Sequence, residues 1–338
     1  MKETKLIAYC LTKNMKCLKE EDIQRLDAIH FAFGLIEKGK VYWNGREIQK
    51  EIARIKKINP QIQLVLSIGG WGADGFSQAA ATGEGRKLFA DSAIEILQRE
   101  QLDGLDIDWE YPCISDAGII AMDADKENFT LLLKELREGL KVCDSYKTLS
   151  IAAGGLDSYL EATNMGEVAQ YLDYVQLMTY DYHGGFSKTT GHLANLYGSR
   201  IEPDAPNADR TVALFVKAGV PIEKLVMGAA FYGREWNGVP AENNGLGQKA
   251  SVTGDKFRGY DEIMKLLDSP KSSFCLYRDN DAKAAYAFNG STFISFEDKE
   301  ALACKCDYVK QHNMYGMMYW EYAQDRSFVL TSYLYERL

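Results

Sequence analysis

A chain of 338 residues, 46% of them hydrophobic, can bury a large core and is long for one compact unit. Its 39 basic and 48 acidic side chains leave a net charge of −9 without a basic block. That balance speaks against nucleic acid or an anionic membrane as partner, and no run approaches the ~20 apolar residues of a membrane span.

In chain order, residues 6–10 predict a first strand, with Tyr9 at its end, and 20–26 a short amphipathic helix. Residues 28–33 are dense in apolar side chains, as a strand buried on both faces should be. Residues 41–43, followed by Asn44 and Gly45, predict a turn or hairpin. A helix over 47–58 has apolar positions 48, 52, 55 and 58 and stops at Pro60. The third strand, 62–68, opens into Ser67-Ile68-Gly69-Gly70-Trp71. Paired glycines there allow unusual backbone angles and close approach of a ligand, though a tight turn alone would also use them. A helix over 86–100 follows.

Residues 102–112 read Leu-Asp-Gly-Leu-Asp-Ile-Asp-Trp-Glu-Tyr-Pro. Asp106, Asp108 and Glu110 recur every second residue, with Leu105, Ile107 and Trp109 between them. In a strand this puts three carboxylates on one face, roughly 7 Å apart per step, and the apolar residues on the other. Such a set cannot stay fully ionised in a dry site, so some members must hold protons, as an acid catalyst does. A solvated acidic edge strand and a divalent-cation site fit the spacing too, but neither explains Trp109, Tyr111 and Pro112. Asp103 falls out of phase and is expected to be structural, accepting backbone donors.

Further on, 126–142 predict a helix and 149–153 a fifth strand ending in Gly154 and Gly155. The sixth, 174–178, runs into Met178-Thr179-Tyr180-Asp181-Tyr182-His183, and the seventh, 225–231, into Tyr232-Gly233-Arg234, with a helix over 209–217 between them. Strands alternating with helices argue for βα units and a parallel sheet. After Trp236 the rhythm breaks. Residues 238–254 are rich in Gly and Asn, 260–267 predict a helix, and 284–288 and 292–296 flank the hairpin signal Asn289-Gly290. This reads as a small α+β insertion. A helix over 300–311, an eighth strand over 316–320 and a closing segment, 327–338, resume the pattern.

Asp103-x-x-Asp106-x-Asp108-x-Glu110, with Gly104, Trp109, Tyr111 and Pro112, resembles the signature of the family 18 glycoside hydrolases, the chitinase family. Ser67, Gly69 and Gly70 resemble its second signature, and Met178, Tyr180 and Asp181 its third, so the resemblance covers the whole chain. It implies an α/β fold: a (β/α)8 TIM barrel over 1–236 and 297–338, with the α+β insertion over 237–296 between strands 7 and 8. It also implies a retaining enzyme that cleaves β-1,4-linked N-acetylglucosamine polymers or oligomers such as chitin by substrate-assisted catalysis.

By the same resemblance Glu110 is the general acid, then the base for water. Asp108 orients the substrate acetamido group, Asp106 is coupled to Asp108, Tyr180 donates to the acetamido oxygen and Asp181 holds the distorted sugar. Trp320 floors the sugar site and Trp71 stacks on sugar. Tyr9, Phe33, Ser67, Gly70, Met178, Arg234 and Trp236 complete the expected binding residues, Met178 more for packing than for chemistry. No metal or cofactor is expected, and none of the four His is given a role. A related enzyme acting on N-glycan or cell-wall N-acetylglucosamine linkages is the alternative. A chitin-binding lectin is another, although such relatives typically lose the acid that stands here as Glu110. A monomer is expected. The apolar run 6–11 is too short for a signal-peptide core, so the chain as given reads as unexported, or as exported with its leader removed. The seven cysteines are expected to be reduced and mostly buried.

Overall fold

The structure is a computed structural model that describes residues 4–44 and 47–338. Its strands are β1 (Lys5–Leu11), β2 (Ala28–Glu37), β3 (Lys40–Tyr42), β4 (Gln63–Gly69), β5 (Gly104–Asp108), β6 (Thr148–Gly154) and β7 (Tyr174–Met178). They continue with β8 (Leu225–Ala230), β9 (Tyr232–Asn237), β10 (Val252–Gly259), β11 (Cys275–Asp279), β12 (Ala284–Phe288), β13 (Thr292–Phe296) and β14 (Gly316–Trp320). Eight of them run parallel in the order β1-β14-β8-β7-β6-β5-β4-β2, and β1 also pairs with β2. The sheet therefore closes, and the expected (β/α)8 barrel is present. The short β3 folds back antiparallel on β2, and Gly45 of the expected turn lies outside the described residues.

Alternation along each strand sorts side chains into two layers. Outward residues such as Leu64, Leu66, Ile68, Leu105, Ile107, Leu149 and Ile151 are buried under the helices in the main core. Trp109 continues that outer layer just past β5, stacked on Phe76 at 5.1 Å and edge-on to Phe129 at 5.7 Å. The opposite phase fills the barrel, where Ile7, Tyr9, Ala28, Ala32, Tyr174, Val226 and Met318 form a separate cluster. Among them sit the buried polar residues His30, Ser67, Asp106, Ser150 and Gln176. Barrel interiors are usually packed with branched apolar side chains, so a polar layer here marks a task other than packing.

At the bottom of the barrel one device appears three times. Asp27, Asp103 and Asp173 each stand one residue before a strand and accept a backbone N–H from the neighbouring strand: Leu6 at 2.9 Å, Leu64 at 2.8 Å and Leu149 at 2.8 Å. A basic side chain caps each carboxylate: Lys5 at 3.0 Å, Lys56 at 2.6 Å and Arg137 at 2.7 Å. Asp103 is thus structural and faces away from the acidic set.

Strands β9 to β13 form a second, antiparallel sheet in the order β10-β9-β13-β12-β11. Trp236, Val239, Leu246, Tyr286, Phe288 and Phe293 make its core. The Asn289-Gly290 hairpin is present between β12 and β13, and Tyr260–Asp268 is the helix of this unit. The sheet begins at Tyr232, so residues 232–236 are shared with a subdomain that the sequence places at 237–296. Only Cys10 and Cys306 of the seven cysteines are buried, fewer than expected. Among the described residues no helix is long and apolar enough to cross a membrane.

Removing the Asp103 carboxyl leaves a strand N–H and a lysine without their partner. Asp103→Ala should lower the unfolding free energy by ~1–3 kcal/mol while leaving turnover per folded molecule unchanged. Urea titration with fluorescence detection measures the first and a rate normalised to folded protein the second. A loss of turnover without a loss of stability would place Asp103 in the site instead.

Candidate active site

The polar layer converges on Asp106, which is fully buried at the centre of the barrel. Parallel register sets Ser67 on β4 and Ser150 on β6 directly beside it. Its Oδ2 accepts the Tyr9 hydroxyl at 2.8 Å and the Ser67 hydroxyl at 2.7 Å. Its Oδ1 accepts Ser150 Oγ at 2.7 Å and Gln176 Nε2 at 3.1 Å. Four donors match the roughly four lone-pair positions of a carboxylate. Burial pushes its pKa up, but His30 and the Ser150 and Ser67 hydroxyls outweigh burial and hold it below the usual carboxylate value. Asp106 is therefore ionised, with no lone pair left for a cation. Among the described residues no group of three or more His, Cys, Asp or Glu is arranged to hold a metal ion.

Asp108, one strand repeat higher, has the opposite environment. It is buried, and its Oδ1 has no hydrogen-bond partner within the protein. Burial, then the neighbouring Glu110 and Asp106, push its pKa well above the ordinary value, so it keeps its proton to higher pH than an ordinary aspartate does. Glu110 lies just past the end of β5 and is only partly buried. Burial raises its pKa to about 7; the Tyr111 hydroxyl pulls it down and the Asp181 charge pushes it up. The three carboxyls of one alternating segment are thus shifted differently: Asp106 down, Asp108 well up and Glu110 up to about 7.

The rim is built from the C-terminal ends of the strands. Gly69 and Gly70 end β4 with φ of +122° and +93°. A Cβ on Gly69 would lie 2.0 Å from the Asp108 carbonyl oxygen, and one on Gly70 2.6 Å from the Phe33 ring. Glycine here lets the chain close over β5, where Gly70 N–H donates to the Asp108 carbonyl at 2.9 Å. Trp320, at the end of β14, stacks on Phe33 at 5.5 Å with an interplanar angle of 18°, and Tyr9 tilts against it at 5.8 Å. The peptide bonds 32–33, 110–111 and 320–321 are cis, all beside these rim residues. Trp71 is 64% exposed and meets the Tyr111 ring edge at 6.3 Å.

Tyr180 and Asp181 follow β7 on the opposite side. The Tyr180 hydroxyl has only a long contact to the Met318 sulfur, 4.0 Å away, which leaves its proton free for a ligand. Asp181 is in the left-handed region, φ +55°, and is gripped by the Tyr232 hydroxyl at 2.9 Å and by Arg234 through Nε at 2.8 Å and Nη2 at 3.0 Å. Both partners come from β9, so the root of the second sheet positions this side of the site.

The model of the family described as "Glycosyl hydrolases family 18" matches residues 5–325. The chain belongs to that family. Chitinase A1 of Niallia circulans is 34% identical over 308 residues, covering 84% of this chain and 44% of that protein. Chitotriosidase-1 of Mus musculus is 33% identical over 296 residues, covering 82% and 61%. The chain thus spans less than two thirds of the length of these relatives. Among solved structures, a family 18 N-acetylglucosaminidase from Paenibacillus barengoltzii superposes with a TM-score of 0.96 at 42% identity, covering 99% of this chain and 100% of that one. The Ostrinia furnacalis group IV chitinase in complex with allosamidin superposes at 0.88 with 28% identity, covering 99% and 97%.

Within this family 18 barrel, some expected binding residues take other places. Trp236 is fully buried, edge-on to Phe293, with its Nε1 donating to the Ser187 carbonyl at 3.0 Å; the segment around Ser187 covers it, so it cannot touch a sugar. Ser67 and Tyr9 hold Asp106 from below and have almost no exposed surface. Arg234 reaches the site through Asp181, and Met178 is partly buried against the barrel-interior cluster. The sequence reading missed Ser150, Gln176 and His30. Their signal was present: each is a polar residue in the inward phase of an otherwise apolar strand.

The proton on Glu110 makes a pH prediction. An acid catalyst works only while protonated, so a group with a pKa of about 7 supports turnover below that pH and loses it above. The kcat/KM profile should fall on its alkaline side near pH 7. A profile flat to pH 9 would show that no group of this kind donates the proton.

Proposed function

We propose that this chain hydrolyses β-1,4-linked N-acetylglucosamine polymers or oligomers, chitin in the first instance, with retention of configuration and with the substrate's own acetamido oxygen as nucleophile. One observation carries the mechanism: none of the three carboxyl groups on the segment that starts in β5 is free to attack. Asp106 is saturated by four donors, Asp108 is buried where its protonated form is favoured, and Glu110 holds the proton to be donated. A retaining glycosidase with its own nucleophile needs a second ionised, accessible carboxylate beside the acid. None of the three acidic residues of this segment offers one.

The steps follow from the geometry. Glu110 gives its proton to the glycosidic oxygen as the bond to the anomeric carbon breaks. The acetamido carbonyl oxygen closes on that carbon and forms an oxazolinium ring. The unpartnered Asp108 Oδ1 accepts the acetamido N–H, which becomes more acidic as the ring forms, and the Tyr180 hydroxyl donates to the acetamido oxygen and orients it. Glu110, now ionised, takes a proton from water, which opens the ring at the anomeric carbon. Two inversions give net retention. Carrying the nucleophile on the substrate removes the need for a second encounter. Trp320, backed by Phe33, offers a flat apolar floor of the kind on which a sugar face stacks. The relatives named as chitinases and the allosamidin complex support a chitooligosaccharide substrate.

A second reading concerns where the chain is cut. The Paenibacillus barengoltzii protein, similar over its whole length, is described as an N-acetylglucosaminidase, which favours release of single terminal sugars. A product time course on defined oligomers separates terminal from internal cleavage.

Glu110→Gln keeps size and hydrogen bonding but removes the transferable proton, so turnover should fall on the order of 10²-fold or more with oligosaccharide binding retained. Fully deacetylated oligomers should not be cut, and partly deacetylated ones only after an N-acetylated unit. Cleavage after glucosamine units, or a glycosyl ester trapped on Asp106 or Asp108, would overturn the mechanism. Glu110→Gln with more than half of the original turnover would overturn the assignment of the acid.

A further inference from the structure

Tyr180 is held from behind by groups that the mechanism above does not use. Pairing between β7 and β8 ends at Leu177 and Met227. Beyond it, Thr179 N–H turns back to the Leu177 carbonyl at 2.8 Å, a tight three-residue turn, and Tyr180 then packs against the barrel-interior cluster. The inward phase of β8 makes room for its ring. Val226 lies in the interior cluster, and a Cβ on Gly228 would come within 3.0 Å of Tyr180 Cε1. Ala230 belongs to a small cluster on which both Tyr180 and Trp320 pack.

These two small residues and the peptide before Tyr180 share one set of ties. Thr179 Oγ1 donates to the Gly228 carbonyl at 2.8 Å and accepts Gly228 N–H at 3.0 Å, where the ladder has ended. Lys305, from the helix Lys299–Gln311, donates to the same Gly228 carbonyl at 2.9 Å and to the Thr179 carbonyl at 3.3 Å. Its Nζ lies 2.8 Å from Glu297 Oε1, just past β13, and Glu297 Oε2 accepts Ala230 N–H at 2.7 Å. Thr179, Glu297 and Lys305 are all buried. The Lys305–Glu297 ion pair therefore spans Gly228, Ala230 and the carbonyl that precedes Tyr180.

We propose that Lys305 and Glu297, together with Thr179, are positioning residues that fix the Tyr180 hydroxyl where it can orient the substrate's acetamido oxygen. The inference deepens the functional reading above and rests on it for the role of Tyr180. Among the described residues the hydroxyl's one hydrogen-bond contact is the long one to the Met318 sulfur, so its aim is set from the backbone and the ring. A buried ion pair adds little stability over apolar residues of the same volume. What this one supplies is direction: an ammonium and a carboxylate that meet two carbonyls and one N–H at the ends of β7 and β8. Misplacing a reacting group by about 1 Å can cost on the order of 10²-fold in rate.

The test is a double-variant cycle on oligosaccharide hydrolysis, with rates expressed per folded molecule. Glu297→Gln combined with Lys305→Met removes both charges together and keeps an acceptor for Ala230 N–H. This pair variant should lower kcat by about tenfold or more with KM changed less than about threefold. Tyr180→Phe should lower kcat too. Adding the pair variant to it should cost less than about twofold further, because the hydroxyl to be positioned is gone. An equal loss in both backgrounds, or an unchanged kcat in the first, would overturn the proposal while leaving the role of Tyr180 intact. Tyr180→Phe with an unchanged kcat would overturn that role, and the proposal with it.

If the pair variant does not fold, Thr179→Val and Thr179→Ser decide the matter. The first loses the hydroxyl bridge to Gly228 and the second keeps it. Thr179→Val should show the loss in kcat that disappears in the Tyr180→Phe background, and Thr179→Ser should retain the original kcat. Equal kcat for the two would overturn the proposal.

Discussion

Everything at the mouth of this barrel depends on one carboxylate that never touches the ligand. Asp106 sits in the barrel interior with its oxygens saturated by Tyr9, Ser67, Ser150 and Gln176. A charge placed there would ordinarily shed itself by taking up a proton, because burial disfavours the ionised form. His30 and the Ser150 and Ser67 hydroxyls reverse that preference, and the uncompensated electrostatics pass one step up the strand. Asp108, with burial against it and two acidic neighbours, is pushed toward its protonated form. The alternation of a single strand thereby sets three identical functional groups apart: an anion, a carboxyl pushed toward its protonated form and an acid poised near neutrality.

The same constraint explains residues that do no chemistry. Gly69 is needed because the end of β4 passes the Asp108 carbonyl at a distance that no Cβ permits, and Gly70 because a Cβ there would meet the Phe33 ring. Ser67 is needed at the register position beside Asp106, where a larger apolar residue would remove a donor and leave the anion under-solvated. On the far side the bidentate Arg234–Asp181 pair ties the loop after β7 to β9. Arg234 therefore acts through Asp181, and the root of the second sheet has a part in the site.

Much of this was legible in the amino-acid sequence, for reasons that can be stated. Strand alternation has a period of two, so the carboxylates and their apolar neighbours could be assigned to faces without coordinates. The recurring βα pattern predicted a parallel barrel, and Asn289-Gly290 a hairpin that is present. Other features depend on contacts between distant segments. Trp236 reads as a rim aromatic until the segment around Ser187 folds over it. Residues 252–259 and 275–279 show no clean alternation and pair only because β9 and β12 supply edges. His30 is an isolated polar residue in an apolar run, and its meaning comes from β5, β6 and β7, which lie 70 or more residues further along the chain.

The central claim is the order of protonation, and hydrogen atoms can be located directly. A neutron crystal structure of the deuterated protein near pH 6 should show deuterium on Asp108 and on Glu110 and none on Asp106. Deuterium on Asp106, or an ionised Asp108, would contradict the account.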